Sequence, residues 1–294
     1  MPAIIGLLCM WGCEDWTDPA LKQAVECCDE VLVNISTHSP AMDIYKDRTK
    51  DIVMGFKGIK VIEIPFNQSH HAYVKPYLLG RMLQYSKYFE IGNWIWILDV
   101  DEYFSDNAIE SVKEILESRH TDFNQIWFEE RFFYINMQHY LEADHKRIYR
   151  IEKNNFNPNF RFFPAQNWCA DQATALIIPR DTGMFHYGAL TNPYMRRDFW
   201  LSEYQDQDQM HKVEWHQQIF MNYDLNNQEH WLEKNKELTG CYSPWHSEDY
   251  KPDVDGKLFE YKRKHPKFIQ ETNLVNIKDF RTYYDNKKID SNKK

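Results

Sequence analysis

The chain has 294 residues, of which 43% are hydrophobic and 16% aromatic, enough to bury one large α/β core or two smaller ones. Its formal net charge of −9 argues against a nucleic acid as a partner of the main body. Residues 257–294 differ, because 11 Lys and Arg oppose 5 Asp and Glu there, a net charge of +6. We interpret this basic end as a solvated segment, with weak contact to an anionic membrane surface as the alternative.

The sequence carries no signal for export or membrane insertion. No apolar run approaches about 18 residues, and the N-terminus enters a strand without a basic region or a cleavage site. The six cysteines include no C-x-x-C spacing, which favours reduced and mostly buried thiols over a zinc site. These features predict a cytoplasmic protein.

Apolar runs and helical periodicities alternate through the first 118 residues. Strands are predicted over 3–10, 31–35, 59–65 and 94–98, with helices over 18–28 and 72–91 between them. The first and last of these strands are continuously apolar, which is typical of strands buried on both faces of a sheet. Such alternation predicts a parallel sheet with right-handed crossovers.

The pattern changes after residue 118. Further strands are predicted over 125–135, 147–152, 173–179 and 183–188, and they would extend the sheet or form an antiparallel half beside it. From Tyr194 the chain becomes helical and polar. We therefore predict an α/β fold in which helices flank a mixed, mostly parallel central sheet, followed by a helical C-terminal extension.

An acidic block, Asp99, Asp101 and Glu102, follows the apolar strand 94–98 directly. The carboxyl end of such a strand is where open α/β sheets bind their ligands. Two carboxylates this close raise each other's pKa unless a cation compensates them, and oxygen ligands on a short loop suit Mg²⁺ or Mn²⁺. Ser105 can cap a helix that follows, with Ile109, Val112 and Leu116 on its apolar face. The alternative for the acidic block is a solvated turn in which Asp99 or Ser105 caps that helix.

Glycine-rich phosphate-binding motifs are missing from the sequence, so a bound diphosphate would need a metal ion to hold it. The string D-V-D occurs again at Asp253 to Asp255, between Pro252 and Gly256 and without an apolar strand before it. This second copy predicts a polar turn.

Three segments together resemble the nucleotide-sugar glycosyltransferases of the GT-A fold, specifically the family 2-like group. They are I-I-G-L-L-C-M-W-G-C-E-D-W near the N-terminus, the block W-I-L-D-V-D-E-Y, and the later F-H-Y-G. The resemblance covers residues 3 to about 200 and implies a Rossmann-like, GT-A-like fold.

The resemblance implies roles for the acidic block and for the histidine of F-H-Y-G. Asp101 would bind the metal directly, and Asp99 would bind it through water or contact the ribose. His186 would complete the metal site or contact the donor phosphates. The alternative for His186 is a buried histidine with satisfied hydrogen bonds.

The same resemblance implies a nucleotide site nearer the N-terminus. Glu14 matches an acid near the base or ribose, and Arg81 matches an arginine that reaches the diphosphate, although an ordinary helix-surface ion pair is the alternative for Arg81. Asn34 stands where the family has an Asp that contacts the nucleotide, and Cys13 stands where Asn is usual. These two departures from the family pattern leave open which nucleotide base the donor carries.

Inverting sugar transfer, which the resemblance implies, needs a base that takes the proton of the acceptor hydroxyl. Asp171 occupies a comparable position to the family's base and is the first candidate, with a surface aspartate without a function as the alternative. Glu130 is the second candidate, beside Glu129.

The resemblance also implies the ligands and the domain organisation. The cofactor would be Mn²⁺ or Mg²⁺, the donor a nucleotide-diphosphate sugar with a UDP-sugar first, and the acceptor a saccharide, a lipid-linked group or a protein. Residues 1–200 would form the transferase domain, with a donor half 1–118 and an acceptor half 119–200. Residues 201–284 would pack on it, and 285–294 would be a disordered tail.

Two other functions remain open at this stage. A phosphatase of the haloacid dehalogenase type also places D-x-D after an apolar strand, with the first Asp as nucleophile, but here the block follows the third or fourth strand and Tyr103 stands at the second position after Asp101. A non-catalytic carbohydrate-binding protein of the same fold is the third hypothesis.

Overall fold

The computed structural model describes residues 2–37, 42–64, 74–152, 174–203, 207–247 and 249–291. The strands are β1 Ile4–Cys9, β2 Glu30–Asn34, β3 Lys60–Ile62, β4 Trp94–Ile97, β5 Glu102–Phe104, β6 Gln125–Phe133, β7 His139–Arg150, β8 Ala175–Ile178, β9 Met184–His186 and β10 Phe259–Glu260. The helices are α1 Glu14–Cys27, α2 Thr49–Gly55, α3 Val74–Leu83, α4 Asp106–Arg119, α5 Pro193–Glu203, α6 Gln207–Gln218, α7 Gln228–Thr239, α8 Lys267–Gln270 and α9 Phe280–Ser291.

All of these strands belong to one mixed sheet, in the order β3-β2-β1-β4-β7-β6-β9-β5, with β8 on β6 and β10 on β7. The first four strands run parallel to one another. β7 joins them antiparallel to β4 and forms an antiparallel pair with β6. The predicted α/β fold is confirmed, and the second half of the chain extends the first sheet rather than building a separate one.

The central strands β1 and β4 are apolar because both faces of the sheet are covered. In β1, Ile4 and Leu8 pack into the cluster on one face, and Ile5 and Leu7 pack into the cluster on the other. The two tryptophans and two isoleucines of β4 alternate in the same way. Each buried side chain of this size contributes roughly 1.5–3 kcal/mol, so the centre of the sheet is the most strongly stabilised part of the fold.

Helices cover the two faces of the parallel half. α1 packs on the first face through Trp16, Ala20, Leu21 and Ala24, and α3 packs on the second through Leu78, Leu79, Met82 and Leu83. The prediction that helices flank the sheet is confirmed.

The C-terminal extension completes the core. Trp215, Phe220 and Trp245 form a third apolar cluster with Phe132 and Tyr134 of the sheet region. The domain boundaries themselves stay a prediction.

The end of the chain differs from the prediction of a disordered tail over 285–294. α9 is helical to Ser291, and Lys287 lies 2.6 Å from Glu14 and 2.9 Å from Asp15 of α1. The sequence gives no sign of this contact, because the two ion-pair partners lie at opposite ends of the chain.

Two features of the described residues bear on the earlier expectations about the cysteines and the membrane. None of these helices combines the length and apolar character that crossing a membrane requires. The five cysteines in the described ranges form no disulfide.

Ser105 caps α4, as predicted: its Oγ accepts a hydrogen bond from the Ala108 amide at 3.1 Å and donates one to the Thr182 carbonyl at 3.0 Å. We expect Ser105→Ala to lower the free energy of unfolding by about 1 kcal/mol, because the first turn loses its cap. Ser118→Ala is the control, since this serine is exposed and bonds only within the same helix. Urea unfolding followed by tryptophan fluorescence measures both, and equal effects would contradict the capping role.

Candidate functional site

The strand order reverses between β1 and β4. β2 and β3 lie on one side of β1, while the chain crosses over to place β4 on the other side. The loops that leave these two strands diverge, which opens a crevice at the carboxyl end of the sheet, the usual ligand site of such folds.

A pocket of about 400 Å³ lies at this reversal point. Its wall comes from the β1 loop (Trp11, Gly12, Cys13), the β4 loop (Asp99, Val100, Asp101), the strands β6 and β9 (Phe132, His186), helix α5 (Met195, Arg196) and the C-terminal extension (Trp245, Tyr250, Tyr284). Asp99 and Asp101 of the predicted acidic block therefore line a concave site, and Glu102 is fully buried, so the block is not a solvated turn.

Gly12 closes the β1 loop beside the pocket with a positive φ of 62°. A Cβ at this position would come within 2.7 Å of the Met195 sulfur and 2.9 Å of the Tyr45 carbonyl. The conformation and the space both require glycine here, so α5 can approach the loop closely.

Asp101 and His186 are the two predicted metal ligands that the fold brings together. Oδ1 of Asp101 lies 4.0 Å from Nε2 of His186. Burial raises the pKa of Asp101, and the neighbouring Asp99 and Glu102 raise it further, while His186 and Arg196 oppose the shift. This excess of buried negative charge is the condition that a divalent cation relieves.

The β5–β9 pair explains how His186 reaches the acidic block. β9 pairs antiparallel with β5, and the register sets His186 directly opposite Glu102. A Cβ on Gly188 would lie 2.5 Å from the imidazole Nε2, so only glycine leaves room for this ring. The F-H-Y-G motif thus has a steric cause: the histidine ring packs over the glycine that follows.

Glu130 lies behind His186. Its Oε2 is 3.1 Å from Nδ1 of His186 and 3.0 Å from Nδ1 of His145, and the side chain is fully buried. Burial alone would raise the pKa of Glu130, but the two histidines hold it well below its usual range. Burial alone would lower the pKa of His186, but Glu130, Glu102 and Asp101 raise it to about 9.

Glu102 and Arg147 form a buried ion pair beneath the pocket, which sequence reasoning missed. Nη2 of Arg147 donates a short hydrogen bond to Glu102 and another, at 3.2 Å, to Asp99. Burial alone would lower the pKa of Arg147, but the carboxylates of Glu102 and Asp99 raise it above its usual value. Glu102 and Arg147 are 45 positions apart in the chain, so local sequence patterns cannot indicate their contact. The pairing of β4 with β7 brings them together.

Helix α1 holds the Glu102 strand in place. Nε2 of Gln23 donates to the Glu102 carbonyl at 2.9 Å, and Oε1 of Gln23 accepts from the Phe104 amide at 2.7 Å. The buried side-chain amide of Gln23 therefore makes the backbone hydrogen bonds with β5 that a neighbouring strand would make.

The site also contains candidate ligands beyond the predicted set. Glu102, His145 and His186 bring one donor atom each within 4.8 Å of one another. His145 lies in β7, two residues before Arg147. Because side chains alternate between the two faces of a strand, the sequence could have indicated that these two residues share a face.

The other predicted residues lie away from this wall. Glu14 accepts from the Arg48 amide at 3.0 Å and lies 2.6 Å from Lys287. Asn34 is buried and accepts from the Ile64 amide at 3.2 Å, which ties β2 to the segment after β3. Arg81 is a partly exposed residue of α3, and Asp171 lies outside the described residues. Glu14, Asn34 and Arg81 are not among the described residues that line the pocket.

The second D-V-D is a turn, as predicted. Oδ1 of Asp253 accepts from the amides of Asp255 at 3.0 Å and Lys257 at 2.8 Å, and Gly256 has a φ of 78°.

Comparisons with known proteins do not identify the family of this chain. No model of a known protein family matches the sequence, and no curated protein matches it. Among solved structures, the crystal structure of S. aureus TarS 1–349 is similar over 81% of this chain and 80% of that chain, with 11% identity and a TM-score of 0.37. A TM-score of that size decides neither the fold nor the function of this chain.

The ion pair beneath the pocket predicts a large effect on stability. We expect Arg147→Met to lower the free energy of unfolding by about 3–5 kcal/mol, because Glu102 would keep a buried charge without a partner. Adding Glu102→Gln removes that charge and should recover most of the loss. Urea unfolding at pH 7 measures both variants, and a double variant no more stable than the single one would contradict this account.

Proposed function

We propose that this protein is a metal-dependent glycosyltransferase that moves a sugar from a nucleotide-diphosphate donor, a UDP-sugar first, to a hydroxyl acceptor. The observation that carries the proposal is the pocket at the strand-order reversal, where Asp99 and Asp101 line the wall and His186 lies 4.0 Å from Asp101. Nucleotide ligands of open α/β sheets bind at such a reversal point.

The residues at this point fit a divalent cation. Asp101 offers a carboxylate and His186 an imidazole, and Oε1 of Glu102 lies 3.9 Å from the same imidazole nitrogen. Nδ1 of His186 lies at hydrogen-bond distance from Glu130, as in metal-binding histidines that a carboxylate orients, so Nε2 faces Asp101 and a cation would bind there in place of the Nε2 proton. Carboxylates with one imidazole suit Mn²⁺, whereas Mg²⁺ prefers oxygen ligands alone.

The chemistry follows from the charges. A divalent cation held by Asp101 and His186 would neutralise the negative charge that grows on the leaving diphosphate. Asp99, held by Arg147, remains beside it to contact the donor ribose or a metal-bound water. We propose inversion at the anomeric carbon, with Asp171 as the base; Glu130 is fully buried and paired with two histidines, which favours a positioning role for it.

The pocket also supports a sugar as the transferred group. Phe132, Trp245 and Tyr250 contribute aromatic rings to the wall that β6 and the C-terminal extension form. Aromatic faces bury the apolar faces of sugar rings and leave the hydroxyls for polar groups. A saccharide, a lipid-linked group and a protein hydroxyl remain the acceptor classes to test.

The test is calorimetry with a panel of nucleoside diphosphates, with and without Mn²⁺. We expect one nucleotide to bind only when Mn²⁺ is present, and Asp101→Asn to abolish this binding, because the variant loses a charged ligand. Asp255→Asn in the second D-V-D is the matched control and should bind as the native protein does, since that residue is exposed in a turn. Absence of binding to every nucleotide under both conditions would refute the proposal.

A second test addresses the histidine–carboxylate pair. We expect Glu130→Gln to weaken Mn²⁺ binding by about 10- to 100-fold, because His186 loses the acceptor that orients it. Glu129→Gln is the control: this neighbouring acid lies on the opposite face of β6 and accepts from the Arg180 amide. Titration with Mn²⁺ followed by electron paramagnetic resonance measures both affinities, and equal losses in the two variants would contradict the positioning role.

A further inference from the structure

Arg196 is a second arginine at this site, partly exposed, and its surroundings differ from those of Arg147. It lies in the first turn of α5 and lines the same cavity as Asp99 and Asp101. Its Nη2 donates to Oγ1 of Thr191 at 2.8 Å. Its Nη1 is buried and has no hydrogen-bond partner among the described residues.

The charge of Arg196 also has no acidic partner at close range. Within the described ranges, no carboxylate oxygen lies within 4.0 Å of its guanidinium, whereas Arg147 has two such carboxylates. The guanidinium carbon instead lies 5.6 Å from the ring centre of Phe220 and 6.0 Å from that of Trp245. Burial lowers the pKa of Arg196 to about 10, opposite in direction to the shift of Arg147.

These contacts fix the guanidinium without neutralising it. The Thr191 hydroxyl and the aromatic rings hold the group in one orientation, but neither carries a negative charge. Asp101 attracts Arg196 but does not contact it, and a charge held away from water without a counter-ion in direct contact is costly to a folded protein. The Arg196 guanidinium keeps its positive charge and one unused donor nitrogen. The pocket can therefore bind an anionic group of a ligand at this residue.

We infer that Arg196 binds a phosphate oxygen of a diphosphate in this pocket, so that the anion is held between Arg196 and a cation at Asp101. The inference rests on the proposed function and names a residue of its donor site that the sequence did not indicate. A guanidinium presents donors that match phosphate oxygens, and the unused Nη1 supplies one of them. Arg147 is a weaker candidate, because its charge is already paired with Glu102 and Asp99 and it is not among the described residues that line the pocket.

The experiment compares the binding of inorganic pyrophosphate and of the nucleoside diphosphate panel, each with Mn²⁺, by calorimetry. We expect Arg196→Gln to weaken the binding of both ligands by about 10- to 100-fold, because each loses a charge-assisted hydrogen bond. Arg196→Lys should fall between, since it keeps the charge and loses the planar fork. Arg197→Gln is the matched control, because its guanidinium is paired with Asp198 at 2.7 Å.

Thermal unfolding supplies a readout that a purely structural role would not produce. If Arg196 serves a ligand, pyrophosphate with Mn²⁺ should raise the melting temperature of the native protein and of Arg197→Gln, and much less that of Arg196→Gln. Arg196→Lys keeps the test valid if the glutamine variant fails to fold.

The outcomes separate this inference from the proposed function. If Arg196→Gln binds both ligands as tightly as the native protein does, the inference is wrong, while nucleotide binding that depends on Mn²⁺ and Asp101 would still support the transferase. If pyrophosphate binds through Arg196 but no nucleotide binds, the anion site is supported and the transferase proposal fails. If the native protein binds neither ligand, both are overturned.

Discussion

The site depends on the compensation of buried negative charge. Asp99, Asp101, Glu102 and Glu130 gather at one end of the sheet, and Glu102 and Glu130 are completely buried. Carboxylates in such surroundings are stable only with cationic or hydrogen-bonding partners. Arg147 supplies the charge for Asp99 and Glu102, and two histidines supply it for Glu130. Among the described residues, Asp101 has only His186, 4.0 Å away, as an ion-pair partner, which is why the proposed cation is placed there.

Strand pairing positions these partners. Arg147 reaches the acidic block because β7 runs antiparallel to β4, and His186 reaches it because β9 pairs with β5. Gln23 secures β5 from the helix side through the backbone of Glu102 and Phe104. A shift of one residue in either pairing would turn these side chains to the opposite face of the sheet. The placement of Arg147 and His186 beside the β4 loop is therefore tied to the sheet register.

Arg147 and Arg196 show how one residue type takes two roles in a single site. Arg147 is paired with two carboxylates and stabilises the fold. Arg196 is held by Thr191 and aromatic rings and keeps a donor unused. A fold tolerates such an unpaired group where a ligand later satisfies it, and natural sites commonly give up some stability in this way. The C-terminal extension contributes directly to the site, because Trp245 lies beside Arg196 and lines the pocket.

Local patterns in the sequence encode part of this structure. Continuous apolar runs gave the buried strands β1 and β4, the serine before an apolar helix gave the cap at Ser105, and the contrast in flanking residues separated the acidic block at Asp99 from the turn at Asp253. It also indicated His186, through a motif whose glycine makes room for the imidazole ring.

Which charged side chains meet depends on how the chain folds in three dimensions. Arg147, His145 and Arg196 stand in segments that look like ordinary strands and helices, and their roles appear once β7, β9 and α5 surround the end of β4. Glu14, Asn34 and Arg81 had plausible positions in the sequence, but the described pocket wall does not include them. The physical reason is range: capping, turn chemistry and hydrophobic periodicity act over a few neighbouring residues, whereas the ion pairs of this site join residues far apart in the chain.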